Sequence, residues 1–265
     1  MNVAVKIVSI IIIAIVVLAA VGYGVLRLFF PSLLGILINS LSATFTSASI
    51  NRTFTSSSVN FTYPGNWVNI NSSSLSVGSS SLGSLFGINS ANKSASLRVL
   101  APSSTVNSLI LQFPIILTQI SSGVFNLSEF QGVGVVIVGG ANLPNNDFQL
   151  LSSLTNLSES VNGSEIINIT MSGNSGLLLS VSNYTSAFLG NTKLTLGKMA
   201  ISKYNDTLCF IFGVAVSPQT VSTVNKAFDK VLGSINCSPQ QSNSYLSSSQ
   251  IKQVLSDFNI STSNI

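Results

Sequence analysis

The chain has 265 residues, a net charge of +4 and no histidine, and only 7% of its residues are charged. Without histidine there is no Ser-His-Asp triad, no Cys-His pair and no zinc-protease motif. The Lys and Arg residues are scattered and form no run interleaved with aromatics, so nothing supports nucleic-acid binding.

The first element is the apolar run Ile7 to Leu26, bounded by Lys6 and Arg27, with Ser9 as its polar exception. About twenty residues at 1.5 Å rise cover the roughly 30 Å hydrocarbon core of a bilayer, and a lone span must be a helix to satisfy its own backbone. The spacing predicts a transmembrane anchor over 7–30, behind a short cytoplasmic N-terminus at 1–6, with apolar character to about residue 38. Pro31 and Gly35 break or end the helix, so that the stretch to Ile38 lies at the interface, or else the helix runs on with a kink. The competing reading is a cleaved signal with Ala20-Val21-Gly22 as its processing site. The run is longer than the usual 7–15-residue signal core, which favours an uncleaved anchor. Lys6 favours a cytoplasmic N-terminus and Arg27 opposes it. The low charge of the remainder and its two cysteines place the bulk outside.

Residues 39–58 are rich in Ser and Thr and read as a linker. Folded structure begins at Val59, where Val59, Phe61 and Tyr63 alternate with polar residues in the period of a half-buried strand. Pro64-Gly65-Asn66 supplies a turn, and Trp67–Ile70 resumes extended structure. Residues 71–90 are Ser/Gly-rich and loop-like. Ser96–Ala101 reads as a strand. Thr105–Ser121 has helical spacing, with the helix starting near Pro114 or kinked there. Gly132–Gly140 is strand-like, and Asn146–Val161 is helical in pattern.

From Glu165 the pattern changes to consecutive strands, Glu165–Met171, Gly176–Phe188, Lys193–Tyr204 and Leu208–Val216. Their short connections predict antiparallel neighbours. The last helix is predicted from Ser217 as cap and Pro218 as first residue to Gly233, with Val221, Val224, Phe228, Val231 and Leu232 on its apolar face. Residues 238–265 form a polar tail. Residues 59–237 make one domain, α+β in class, with an antiparallel sheet and packed helices.

Ser, Thr and Asn carry the polarity that charge supplies elsewhere, which suits a glycosylated cell surface. Twelve Asn-x-Ser/Thr patterns occur. The candidate acceptors are Asn51, Asn60, Asn71, Asn92, Asn126, Asn156, Asn162, Asn183, Asn205 and Asn259; the other two are Asn168, inside an apparent strand, and Asn236. The motif permits modification and does not establish it. Cys209 and Cys237 flank the last helix, and a disulfide between them fits an oxidising compartment. The alternative is two buried free thiols. Two cysteines without a nearby third ligand make no metal site.

Phe61-Thr62-Tyr63-Pro64-Gly65-Asn66-Trp67 is similar to the Phe-x-Tyr-Pro-x-x-Trp opening of PsbP-like domains. Leu208-Cys209-Phe210-Ile211-Phe212, followed by Phe228 to Ile235, resembles their closing strand and helix. The resemblance spans Val59 to Ile235. It implies an α-β-α sandwich with a central antiparallel sheet, here preceded by one N-terminal transmembrane helix. Similar domains stand behind single membrane anchors in archaea and bacteria. The motif residues Phe61, Tyr63, Pro64 and Trp67 are read as structural, their rings packing a core edge. Photosynthetic members assist the oxygen-evolving complex. That role does not carry over, because Glu129, Asp147, Glu159, Glu165, Asp206, Asp229 and Asp257 are scattered without metal-site spacing.

Gly132-Val133-Gly134 lacks the third glycine of a dinucleotide fingerprint, since Ile137 stands there. Gly190-Asn191-Thr192-Lys193 lacks the leading glycine and trailing hydroxyl of a P-loop. The expectation is a non-enzymatic, membrane-anchored extracytoplasmic binding or accessory domain without cofactor. Its partner would be an envelope protein or a surface polymer. A small-ligand-binding surface domain is the alternative, and a hydrolytic enzyme of the envelope the least favoured.

Overall fold

The computed structural model describes residues 31–71, 76–77, 80–81, 98–111, 132–142, 164–186, 192–204 and 207–238. The predicted anchor over 7–30, the helix at 146–161 and the tail beyond Ser238 lie outside the described residues. Among the described residues, no helix is long and apolar enough to cross a membrane.

The chain enters through helix α1 (Pro31–Thr44), then strands β1 (Asn51–Thr55), β2 (Val59–Pro64) and β3 (Trp67–Asn71). A two-residue pair, β4 (Ser76–Val77) and β5 (Ser80–Ser81), precedes β6 (Arg98–Pro102) and helix α2 (Ser103–Leu111). There follow β7 (Gly134–Asn142), β8 (Ser164–Met171), β9 (Asn174–Ser186), β10 (Thr192–Tyr204) and β11 (Thr207–Ala215). Helix α3 (Pro218–Leu232) and β12 (Asn236–Cys237) end the described chain.

Seven strands form one sheet in the order β3-β6-β7-β11-β10-β9-β8, every pair antiparallel. A smaller sheet, β1-β2-β12, is also antiparallel. The domain is thus an α+β fold built mainly on antiparallel sheet. Ser172 and Gly173 both take positive φ, 54° and 77°, between the paired residues Met171 and Asn174. That is the two-residue hairpin turn whose twist matches the flanking strands.

Strand alternation separates two cores. Val68, Ile70, Phe212 and Val214 face one side, where Ile36 and Ala43 of α1 and Val106 of α2 cover them. Trp67, Ile211 and Ala215 face the other side, with Val59, Phe61 and Tyr63 of β2 and Val224, Ala227, Phe228 and Val231 of α3. The central β11 is buried on both faces, which is why it reads as a continuous apolar run. Helix α3 lies close to the sheet because Gly134 and Gly213 stand beneath it. A Cβ at Gly134 would sit 2.6 Å from a Val224 methyl, and one at Gly213 would sit 2.9 Å from the Phe228 ring.

Two expectations, the linker at 39–58 and the Ser217 cap, are corrected. Residues 39–58 are not a linker: they hold the end of α1 and all of β1, whose Phe54 pairs with Phe61. Threonines alternating with Arg52 and Phe54 suit an edge strand, and the folded unit starts well before Val59. Of the helical spacing over Thr105–Ser121, the structure shows α2 from Ser103 to Leu111; Pro114, the expected start or kink of that helix, lies outside the described residues. Ser217 occupies the N-cap position with extended backbone, but its side chain makes no capping bond. Pro218 at the first position needs no acceptor, and the Thr220 N–H finds the Ser217 carbonyl instead. Gly233 ends α3 in the right-handed region, its N–H bonded to the Asp229 carbonyl.

Candidate functional site

Cys209, the third residue of β11, and Cys237 in β12 are bonded, with their Cα atoms 6.2 Å apart. The bond joins the small sheet to the large one across the α3 core. Phe61 and Trp67 are buried, as are Tyr63 and Pro64. Phe61 and Tyr63 point into the α3 core beside Trp67, with their rings tilted and 6.1 Å apart.

Polar and charged groups converge where the β1–β2 hairpin closes over the β3–β6 end of the large sheet. Arg52 lies directly across from Tyr63, and Phe54 across from Phe61. The Phe54 and Phe61 ring centroids are 5.2 Å apart. The Arg98 guanidinium sits 4.4 Å from the Phe54 ring centre, within cation–π range. Arg98 pairs with Asn71 in β3, two positions from Asn69 on the same face. Arg52 and the Asn69 amide stand beside the Tyr63 phenol, and both favour its ionised form. Arg52 Nη2 also donates to Thr46 Oγ1 at 3.1 Å, reaching back to the end of α1.

Neither arginine has a carboxylate partner among the described residues, and no Asp or Glu occurs in the chain before Glu129. Arg98 Nε and Asn69 Oδ1 are buried and unpaired. Burial lowers the Arg98 guanidinium below its ordinary value, yet an arginine stays charged at neutral pH. The corner therefore presents a fixed, half-buried cation against an aromatic face, with amides beside it. It is suited to recognise an anionic group. It contains no nucleophile–base pair, and among the described residues no cluster of three metal-ligating side chains occurs. Sequence reading missed this corner. Phe54 and Arg98 belong to different sheets, and no local spacing announces their contact.

Burial raises the Tyr63 phenol above its ordinary value, and the Arg52 charge and the Asn69 amide only partly offset this. A raised folded-state value means the unfolded chain releases its proton first. The stability held by the neutral phenol is thus complete below about pH 10 and is lost as pH rises from there through the folded value. Absorbance titration at 295 nm should show a phenol ionising above the ordinary range, and Tyr63→Phe should remove it and flatten the alkaline loss of stability. Unchanged titration in Tyr63→Phe would contradict the assignment.

Of the sequons, Asn51, Asn71 and Asn183 are exposed, Asn183 at φ 52°, a left-handed conformation that asparagine tolerates. Asn60 stands differently: half-buried in the middle strand of the small sheet, its Oδ1 accepts the Ser56 N–H at 2.9 Å. Asn168 and Asn236 are both exposed, and Asn236 Oδ1 accepts the Ser172 hydroxyl. Asn92, Asn126, Asn156, Asn162, Asn205 and Asn259 lie outside the described residues.

No protein-family model matches the chain, and no curated protein matches it. Among solved structures, the chain is similar to the solution structure of cyanobacterial PsbP (CyanoP) from Synechocystis sp. PCC 6803. The identity is 13% and the TM-score 0.33, over 73% of this chain and 95% of that one. It is also similar to the crystal structure of the Saccharomyces cerevisiae Ran-binding protein Mog1p. Here the identity is 12% and the TM-score 0.34, over 71% of this chain and 95% of that one.

Proposed function

We propose that the chain is a membrane-anchored, extracytoplasmic domain of PsbP-like type that binds an acidic partner and performs no catalysis. The observation that carries the location is the Cys209–Cys237 bond, because disulfides form and persist in oxidising compartments. The apolar run at 7–26 and the 7% charge support the same placement. PsbP-like membership is supported by the burial of Phe61, Tyr63 and Trp67 at the β2–β3 junction and by four antiparallel strands leading into α3. The partner, an envelope protein or a surface polymer, docks its acidic groups at Arg98. The second reading is a small anionic ligand, favoured by the unpaired Arg98 Nε donor.

Protease added to intact cells should digest the folded domain; full protection would put it inside and overturn the placement. Detergent-solubilised wild-type chain should then retain its partner, and Arg98→Gln should lose it. A hydrogen bond to a charged group contributes about 1.5–3 kcal/mol, so retention should fall about tenfold or more. Equal retention by Arg98→Gln, with circular dichroism unchanged, would remove the corner from the binding surface. Recovery of a small anion alone, dependent on Arg98, would replace the first reading with the second.

A further inference from the structure

Helix α1 carries two apolar faces, and only one of them is used by the fold. Ile36, Ser40 and Ala43 face inward and are buried. Ser40 Oγ donates to Asn107 Oδ1 at 2.6 Å, and Asn107 Nδ2 donates to Thr44 Oγ1 at 3.2 Å, which pins α1 to α2. The opposite face is open. Ile38 is 55% exposed, Leu41 48% and Phe45 88%, and Ile50 in the following turn is 53% exposed. Ile38, Leu41 and Phe45 are spaced three and four apart, so they line one side of the helix and its end. Among the described residues the only other exposed large hydrophobic is Ile167, on β8. Exposed apolar side chains gathered in one thirteen-residue stretch mark an interaction surface, whereas scattered ones do not.

We infer that this face of α1 lies in the interfacial layer of the bilayer and seats the folded domain flat on the membrane that anchors it. The inference rests on the anchor reading of residues 7–30. Two further observations point to lipid as the occupant. The apolar run ends only a few residues before α1 begins at Pro31, so a chain leaving the bilayer delivers this helix at headgroup depth. The charge is also complementary. Arg52 Nη2 is held at the edge of the face through Thr46 Oγ1, and neither α1 nor β1 carries an Asp or Glu that would repel anionic headgroups. An aromatic tip at Phe45, aliphatic residues behind it and a cation at the rim are the parts of an interfacial helix.

The test uses the full, oxidised chain in phosphatidylcholine–phosphatidylglycerol vesicles. An environment-sensitive dye is attached at Phe45→Cys or, as control, at Ile167→Cys. Nitroxide-bearing lipids should quench the label at 45 by about half or more and leave the label at 167 bright, because an interfacial helix buries its apolar side about 5–10 Å into the boundary. Leu41→Asp in the Phe45→Cys background should abolish that quenching while the protein stays in the vesicle after an alkaline wash. A retained protein whose label at 45 is no more quenched than the label at 167 overturns the inference and leaves the anchor standing. Cross-linking of Phe45→Cys to a second copy without lipid quenching also overturns it, in favour of a dimer. A protein released by the alkaline wash overturns both the anchor and the seat.

Discussion

Phe228→Ala is expected to destabilise the domain by about 3–5 kcal/mol, the usual loss for truncating a fully buried phenylalanine. Phe228 is completely buried in the α3 core, among Val224, Ala227, Val231 and the sheet residues beneath them. Its ring lies against Gly213, where an added methyl would come within 2.9 Å. Gly213→Ala should therefore be destabilising in its own right, by about 1–3 kcal/mol, since overpacking forces the helix away from the sheet. The pair should not add. In Phe228→Ala the closest clash is removed, leaving the 3.3 Å approach to Val224, and the new methyl fills part of the cavity, so the double variant should be more stable than the sum of the single losses allows. Trp67 is the only tryptophan and is buried in the same core, so its emission reports unfolding directly during denaturant titration. Strict additivity would mean that α3 does not sit on Gly213 as described.

The elements legible in the sequence are those whose pattern is local. Strands β8 to β11 announce themselves by apolar runs and short turns, and α3 by its stripe and Pro218. The segment from 39 to 58 is illegible for a physical reason. Helix α1 buries Ile36 and Ala43 while exposing Ile38 and Leu41, so it has no polar face to set a helical period. Strand β1 is built from Thr, Arg and Asn around a single Phe54, and its pairing partner, not its composition, makes it a strand. The candidate corner is harder still to foresee, because Arg98 meets Phe54 only after the small sheet folds over the large one. The Cys209–Cys237 bond could be expected because there are only two cysteines to pair, yet its role in joining two sheets needed the topology.

Breaking that bond is the second large effect. The cysteines are 28 residues apart in sequence, and closing a loop of that size restricts the unfolded chain by about 3–4 kcal/mol on the loop-entropy account. Cys209→Ala with Cys237→Ala should lower the unfolding free energy by about that amount. Alanine is the better replacement, because both positions are almost fully buried and a serine hydroxyl there would add its own desolvation cost. The small sheet should respond first. Strand β12 pairs with β2 through only two residues, Asn236 with Asn60 and Cys237 with Val59, so without the bond it is held by Ile235, the Ser238 N–H to Ser58 carbonyl contact and two hydrogen bonds at the Ser172 hydroxyl, which donates to Asn236 Oδ1 and accepts the Cys237 N–H. Hydrogen exchange should show β12 losing protection well before β11, which is paired along its length on both sides. Reductant should bring the wild-type chain to the stability of the double alanine variant and leave that variant unmoved. If reductant shifts neither, the two thiols are free and the argument for an oxidising compartment goes with the bond. The same measurement therefore tests at once how the two sheets are held together and the oxidising compartment proposed for the domain.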